Sequence, residues 1–310
     1  MKIKYIIVII FVNNNLRRNF VMVYTLKNND LTVKISDKGA EIVSVVKDGC
    51  EYIWQADPIY WAGQAPILFP ICGRFFQGKY THGGKEYQMG THGFARHCDF
   101  AAKQSSDESV TFVLTQNDFT LEQYPFDFYL TITYTLSDNK ITSTTNILNI
   151  GKDIMPATFG AHPAFNVPLD SGSFEDWCIE FGDDCTPDEL IFSDTCFNTG
   201  KKRAYPIEGS RIIPLRHNLF NVDAIFMSRV ASSATLKSKL SSRSVTLEYE
   251  DMPYLGLWHK PQSDAPYVCI EPWCGLPSFD GEVDELTKKC DMFHIESGKD
   301  VTIEYSMIFN

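Results

Sequence analysis

The chain has little positive charge. Its 310 residues include 28 lysines and arginines against 39 aspartates and glutamates, which gives a formal net charge of −11 at pH 7. Because an acidic surface repels phosphodiesters, nucleic acid is not expected as a partner. The same balance mildly disfavours heavily phosphorylated substrates, although a local basic pocket could override it.

The sequence also lacks the cysteine pattern of a disulfide framework. The nine cysteines are odd in number, no Cys-x-x-Cys motif occurs, and Cys72 and Cys269 lie in apolar runs where buried free thiols are common. A reduced, cytoplasmic location therefore fits better than a disulfide framework. No spacing matches a strong zinc pattern, so neither a metal nor another cofactor is expected.

No segment of the sequence is predicted to be a targeting signal or a membrane span. The apolar stretch at residues 5–12 superficially resembles a signal peptide, but it is far below membrane-spanning length and no small-residue cleavage site follows it. A patterned strand begins only after Met22. We therefore interpret residues 1–22 as an N-terminal appendage, with Met22 as the usual start, and expect no membrane association.

Helical periodicity is scarce, and the dominant apolar period is two. Short helical signals occur only at residues 281–289 and 187–190. No repeat, low-complexity tract or linker interrupts the pattern, so residues 23–310 are predicted to form one all-β domain, a stacked sandwich or a large barrel. Long connections are expected at 54–78, 162–205 and 272–280. The clearest predicted strands are residues 31–35, 40–46, 80–87 (a hairpin around Gly83-Gly84), 128–136, 141–150, 244–249, 265–270 and 301–309.

Two ionisable residues end apolar runs and are followed at once by proline. His162 precedes Pro163, and Glu271 precedes Pro272. A residue before proline is pushed toward extended backbone, and proline offers no N–H to a sheet ladder. We therefore expect both side chains at strand ends with restricted directions. An imidazole and a carboxylate are the parts of a general acid–base pair.

Three basic residues are candidate ligand contacts. Arg74 lies in an apolar run, where its charge must be paired with a core carboxylate or face a pocket. The segment 91–97 contains His92, Arg96 and a second histidine. A metal site there is the weaker interpretation, and a loop that contacts a sugar or an anion is the stronger one, with His92 beside a glycine.

An aspartate and two tryptophans complete the candidates. Asp223 precedes an apolar run and is either a hydroxyl-binding carboxylate or an ordinary turn residue. Aromatic faces often pack against sugars, and Trp61 and Trp273 are favoured over the other aromatic residues because both occur in segments predicted to be irregular.

The order and spacing of these segments resemble the aldose 1-epimerase (galactose mutarotase-like) family, over essentially residues 23–310. The segment 54–61 resembles its LacX-like branch, and the Ala161-His162-Pro163 sequence resembles both its LacX-like and its hexose-phosphate epimerase-like branches. The motifs that carry the resemblance are Pro70-Ile71-Cys72-Gly73-Arg74, His92-Gly93-Phe94-Ala95-Arg96, Gly160-Ala161-His162-Pro163-Ala164-Phe165-Asn166, Asp223-Ala224 and Ile270-Glu271-Pro272-Trp273.

The resemblance implies a β-supersandwich, in which large and mostly antiparallel sheets stack around an open cleft, with few short helices. It implies an isomerase that interconverts the anomers of an aldohexose without a cofactor. Glu271 matches the general base and His162 the general acid, while Arg74, His92 and Asp223 match substrate-binding positions. The expected partner is a monosaccharide, and the oligomeric state is left open, a homodimer included.

Three alternatives stay open. The substrate could be a hexose 6-phosphate, with Arg96 and Arg74 in a phosphate clamp. A glycoside hydrolase would need a second carboxylate beside Glu271, which leaves His162 without a role. A non-catalytic sugar-binding or regulatory protein could use the same scaffold, because a fold alone does not imply activity.

Overall fold

The computed structural model describes residues 20–310, and nearly all of its regular structure is strand. The helical segments in this range are the helix α1 (Asp118–Gln123) and 3-10 turns at Phe76–Gly78, Ala95–His97, Phe174–Asp176, His217–Phe220 and Leu286–Lys288. The strands, in chain order, are β1 (Val23–Lys27), β2 (Thr32–Ser36), β3 (Ile42–Lys47), β4 (Cys50–Glu51), β5 (Ile67–Leu68), β6 (Lys79–His82), β7 (Lys85–Gln88), β8 (Ala101–Ser106), β9 (Ser109–Thr115), β10 (Phe128–Ser137), β11 (Lys140–Asn149), β12 (Met155–Ala157), β13 (Gly160–Ala161), β14 (Ala164–Asn166), β15 (Trp177–Phe181), β16 (Asp188–Phe192), β17 (Asn198–Ala204), β18 (Ile212–Pro214), β19 (Ile225–Ser228), β20 (Ser233–Ser238), β21 (Ser244–Glu248), β22 (Tyr254–Trp258), β23 (Tyr267–Trp273), β24 (Phe293–Ile295) and β25 (Asp300–Phe309).

These strands form two large antiparallel sheets and several small ones. The nine-stranded sheet has the order β18-β15-β20-β21-β25-β11-β10-β9-β8, and the eight-stranded sheet has the order β17-β16-β19-β22-β23-β13-β5 with β14 also paired to β23. Strands β1 to β4 form a four-stranded sheet. One apolar core contains side chains from all three sheets, for example Ile35, Ile132 and Ile270. The prediction of an all-β fold with stacked sheets is therefore confirmed.

Long alternating strands follow the period-two pattern that predicts them. Buried and more exposed residues alternate along β10 and β11, as expected for strands with one face on the core. The predicted hairpin at 80–87 is present as β6 and β7, which turn at Gly83-Gly84. These local patterns are reliable because a strand with one buried face has only one register that keeps its apolar residues inside.

Both helix predictions are wrong. Residues 187–190 belong to β16, which pairs with β17 and β19, so pairing in the sheet outweighs a weak local signal. Residues 281–289 contain only the turn Leu286–Lys288. The structure instead has α1, whose start is stabilised by reciprocal capping between Asn117 and Thr120.

The structure describes only the end of the predicted N-terminal appendage, residues 1–22. Residues 1–19 of the predicted appendage lie outside the described residues, and the first strand begins at Val23, as expected. No helix in the range 20–310 is long and apolar enough to cross a membrane.

The eight-stranded sheet brings the two proline-flanked segments together. Gly160 of β13 pairs with Trp273, and Ala164 of β14 pairs with Cys269, both on β23. The same register places His162, between β13 and β14, opposite Glu271. His162 lies at a strand end, as predicted.

The prediction for Glu271 needs correction, because β23 continues through Pro272 to Trp273. The backbone N–H groups of Ile270 and Cys274 both donate toward the β13–β14 side, to Pro163 and Phe159. By alternation, the ring nitrogen of Pro272 faces the same side. The residue opposite Pro272 in this register is Ala161, the last residue of β13. Because proline has no N–H, the ladder between β23 and β13 has a gap at this position.

Candidate active site

A cavity of about 500 Å³ lies beside the His162–Glu271 pair. Its wall includes segments from the eight-stranded sheet and from the loops that carry the predicted motifs. All eight candidate residues from the sequence line this cavity: Trp61, Arg74, His92, Arg96, His162, Asp223, Glu271 and Trp273.

His162 and Glu271 are in direct contact at the wall of the cavity. The distance from His162 Nε2 to Glu271 Oε2 is 3.3 Å, and the side chains are 10% and 2% exposed. The backbone N–H of His162 donates to the carbonyl of Pro66 at 3.1 Å, which fixes the imidazole-bearing turn against β5. Contact at this distance permits a proton to pass between imidazole and carboxyl.

Burial shifts both ionisations of this pair. Removal from water raises the pKa of Glu271 well above its ordinary value, and the negative charge of Asp223 adds to the shift. Burial also lowers the pKa of His162 to about 3, and the Arg96 guanidinium contributes in the same direction. Both directions favour the neutral form of each group.

Asp223 is held in place by two side chains that the sequence analysis did not select. Its Oδ1 accepts a hydrogen bond from Trp258 Nε1 at 3.0 Å, and its Oδ2 accepts one from Cys196 Sγ at 2.7 Å. The backbone N–H of Ala224 also donates to Oδ1, at 2.9 Å. Asp223 precedes the strand β19, as a turn residue would, but it also lines the cavity. Its position is therefore compatible with binding a hydroxyl group.

Arg74 has no ion pair and no side-chain hydrogen bond to any residue in the described part of the chain. The interpretation of Arg74 as a structural salt bridge is therefore wrong. Its backbone is anchored instead, because the Ser278 N–H donates to the Arg74 carbonyl at 3.0 Å. The guanidinium is left as a half-buried cation in the cavity wall.

His92 presents one defined tautomer to the cavity. Its Nδ1 accepts a hydrogen bond from the Gly73 N–H at 3.1 Å, so the ring proton is on Nε2. Burial, and the positive charge of nearby basic groups, hold the pKa of His92 well below its usual range. The imidazole is thus a neutral donor whose centroid lies 5.8 Å from that of His162.

Arg96 is more constrained than Arg74. Its Nη2 donates to the Thr91 carbonyl at 2.9 Å and its Nε contacts His97 Nε2 at 3.2 Å. The half-buried Glu41 carboxylate also attracts it. Glu41 is a further residue that the sequence did not reveal, and it accepts hydrogen bonds from the backbone N–H groups of Gln64 and Ala65 at 2.9 Å.

Aromatic rings surround the His162–Glu271 pair. Trp61 stacks on His162 with centroids 5.0 Å apart, and Trp258 contacts Trp61 edge-on at 5.5 Å. Trp273 also lines the cavity, but it lies in β23 and not in an irregular segment as predicted. Trp258, which the sequence does not favour because it lies outside the segments predicted to be irregular, is in β22 and lines the cavity.

One group of donor atoms near the pair could hold a metal ion. The ligating atoms of His162, Cys269 and Glu271 all lie within 4.8 Å of one another, and all three residues are buried. The two-histidine segment 91–97, in contrast, uses its side chains for hydrogen bonds to Gly73, Thr91 and within the segment.

Comparisons with known proteins agree with this fold. The family model described as aldose 1-epimerase matches residues 22–279. The LacX protein of Lactococcus lactis subsp. lactis is 37% identical over 266 residues, which cover 82% of this chain and 88% of the relative.

Two solved structures are similar over nearly their whole length. A galactose mutarotase related enzyme from Lactobacillus acidophilus has a TM-score of 0.89 and 34% identity, covering 93% of this chain and 97% of that chain. A galactose mutarotase-like protein from Lactobacillus casei ATCC 334 has a TM-score of 0.88 and 32% identity, covering 93% and 100%. The chain therefore belongs to the aldose 1-epimerase family, an isomerase class of LacX-like, galactose mutarotase-like proteins.

Proposed function

We propose that this isomerase interconverts the α and β anomers of an aldohexose, with Glu271 as general base and His162 as general acid. The observation that carries the proposal is the buried contact of 3.3 Å between the two groups at the cavity wall. In a sugar ring, O1 and the ring oxygen O5 share one carbon. The groups that exchange protons with these two oxygens must therefore lie close together, as His162 and Glu271 do.

The reaction needs one proton to leave O1 and one to reach O5. The Glu271 carboxylate takes the O1 proton as the C1–O1 double bond forms, and the electrons of the breaking C1–O5 bond pass to O5, which takes a proton from His162. Rotation about C1–C2 then presents the other face of the aldehyde, and ring closure returns both protons. Each positioned proton transfer contributes about 10²- to 10⁴-fold.

The protonation of the pair is compatible with these roles. When both groups are neutral, the carboxyl of Glu271 carries the proton that the mechanism needs on His162. Because the two groups are in contact, the shift is a local transfer that requires no exchange with solvent. Hydroxyl groups of a bound sugar would favour the charged form by donating to the carboxylate.

The remaining residues suit an uncharged, hydroxyl-rich ligand. Arg74 and the Nε2–H of His92 are donors without described partners, and Asp223 is a preorganised acceptor. Apart from the His162–Glu271 pair, charges around the cavity balance: Arg203 pairs with Glu189, and two further cations, Arg74 and Arg96, face two further anions, Asp194 and Asp223. Trp61 would offer an apolar ring beside His162.

A hexose 6-phosphate is the weaker candidate substrate. A phosphate clamp needs guanidinium donors that are free, and Arg96 is already bound to the Thr91 carbonyl and attracted by Glu41. Only Arg74 offers an unpaired guanidinium among the described cavity residues. Comparing exchange rates for free and phosphorylated hexoses checks this directly, and Arg96→Ala should not selectively reduce the rate for the phosphorylated sugar.

The test of the main proposal is the equilibration of an enriched hexose anomer, followed by proton NMR and corrected for the spontaneous rate. We expect Glu271→Gln and His162→Gln each to lose at least about 100-fold of the catalysed rate. Glu122→Gln and His294→Gln, exposed and remote from the cavity, are the matched controls and should equal the unmodified protein. If Glu271→Gln keeps full activity, the assignment of the base is wrong.

A further inference from the structure

We propose that His162, Cys269 and Glu271 form a binding site for a thiophilic divalent cation such as Zn²⁺, and that an ion held there inhibits the enzyme. The imidazole, thiol and carboxyl donor atoms lie within 4.8 Å of one another. All three residues are buried, with Cys269 0% and Glu271 2% exposed. Cys269 has no part in the proposed acid–base mechanism.

The sheet register brings the three donors together. Cys269 and Glu271 are two residues apart on β23, so their side chains leave the same face of the strand. His162 faces Glu271 from the interrupted neighbouring strand, between β13 and β14. Rigid strands on both sides hold the donors at a spacing that no contiguous sequence motif reveals.

The distances suit a tetrahedral ion. With Zn–N and Zn–O bonds near 2.0 Å, two ligands at a tetrahedral angle are about 3.3 Å apart. The separation of His162 Nε2 and Glu271 Oε2 is 3.3 Å. A Zn–S bond near 2.3 Å places the sulfur about 3.6 Å from the other donors, so Cys269 must approach by at most about 1 Å.

The donor set selects the class of cation. A thiolate and a carboxylate together carry two negative charges, which neutralise a divalent ion in a buried site. Sulfur and imidazole favour Zn²⁺ over Mg²⁺, which prefers oxygen donors. His162 and Glu271 line the cavity, so a fourth coordination position would open onto it.

The site should release its ion to a chelator. Ligating histidines usually have their second nitrogen fixed by a hydrogen bond, whereas His162 Nδ1 is buried without a partner in the described structure. The ring is held instead by stacking on Trp61. An ion bound here would occupy the lone pairs of both proton-transfer groups. Its inhibitory effect therefore rests on the proposed function, while its binding does not.

The binding test uses the full-length protein freed of metal and titrated with Co²⁺, whose bond to a thiolate gives an intense near-ultraviolet absorption band. We expect one equivalent to bind with this band, and Zn²⁺ to displace it. Cys269→Ser should abolish the band, whereas Cys290→Ser, which removes an exposed thiol, should retain it. Glu271→Gln is a second variant that should weaken binding without removing sulfur. A band that survives Cys269→Ser overturns the proposal.

The inhibition test measures anomer exchange of the metal-free protein. Zn²⁺ should abolish it, EDTA should restore it, and Mg²⁺ should have no effect. The Zn²⁺ concentration that halves the rate, relative to each variant's own metal-free rate, should rise at least about tenfold in Cys269→Ser. Full exchange with Zn²⁺ bound overturns the inhibitory role. A Cys269-dependent band in a protein without exchange activity supports the site and overturns the proposed function.

Discussion

The hydrogen bond from Trp258 to Asp223 offers a sharp test of how the cavity holds a sugar. Trp258→Phe keeps a smaller aromatic ring beside Trp61 and removes the indole N–H that donates to Asp223 Oδ1 at 3.0 Å. The thiol of Cys196 and the backbone N–H of Ala224 would then hold the carboxylate alone. A less constrained carboxylate loses part of its preorganisation for a sugar hydroxyl.

The magnitude follows from the type of bond. A hydrogen bond to a charged group contributes about 1.5–3 kcal/mol, which corresponds to about 10- to 150-fold in binding. Asp223 is only half-buried, so water can replace the lost donor, and the lower end applies. We expect KM to rise about tenfold in Trp258→Phe with kcat changed less than about threefold, because a phenyl ring can still pack edge-on against His162, as the Trp258 ring does with centroids 5.8 Å apart.

The assay is anomer exchange by NMR over a range of sugar concentrations, with hexoses that lack one hydroxyl as probes. The deoxy sugar without the hydroxyl bound by Asp223 should show the same KM in the variant and in the unmodified protein. Cys196→Ala should give a smaller effect in the same direction, because a thiol is a weak donor. An unchanged KM for every sugar, or an equal loss for all deoxy sugars, would refute the role of Asp223.

Further predictions concern Arg74, a glycine and a buried histidine. Arg74→Ala should raise KM, measured by exchange kinetics. Its free energy of unfolding, measured by urea titration, should stay within about 0.5 kcal/mol of that of the unmodified protein, because the guanidinium has no described protein partner. Gly93→Ala should lower the free energy of unfolding by at least about 3 kcal/mol, because φ is +71° and a Cβ would lie 2.2 Å from the Phe69 carbonyl oxygen. Gly84→Ala is the control, because Gly84 has a similar φ of +77° but open space around it, and it should lose only about 1 kcal/mol. Burial lowers the pKa of His259 to about 4, so the unfolded state binds more protons between about pH 6.5 and 4 and stability falls on acidification through that window. Urea titrations at pH 7.5 and 5 should show a loss of at most about 2 kcal/mol from this group, reduced in His259→Gln; an equal loss in that variant would contradict the assignment.

The site residues that could be predicted are those that a short contiguous segment of sequence indicates. Prolines after His162 and Glu271 singled out the two residues, and the alternation around them indicated strands. Charge inside apolar runs drew attention to Arg74 and Asp223. Each of these signals is local, because it depends on backbone restriction or on the cost of burying a polar group.

The partners of these residues could not be predicted. Cys196 lies in a half-buried turn with φ +64°, and nothing in its neighbourhood of the sequence indicates a contact with Asp223. Trp258 occupies a strand, where its aromatic ring suggests core packing. Whether Arg74 is paired or free depends on which carboxylates the fold brings near it, and no carboxylate of residues 20–310 forms an ion pair with it.

The sequence by itself determined that the chain forms sheets, because alternating apolar residues can be buried on one face only in extended backbone. It also determined which residue types could exchange protons. The tertiary structure alone decided that His162 and Glu271 touch, since the register of β13, β14 and β23 places two distant segments side by side. The same strand β23 places Cys269 two residues from Glu271, with its sulfur within 4.8 Å of donor atoms of both residues of the pair. Pairing across a sheet depends on the packing of the whole core, and no short segment contains that information.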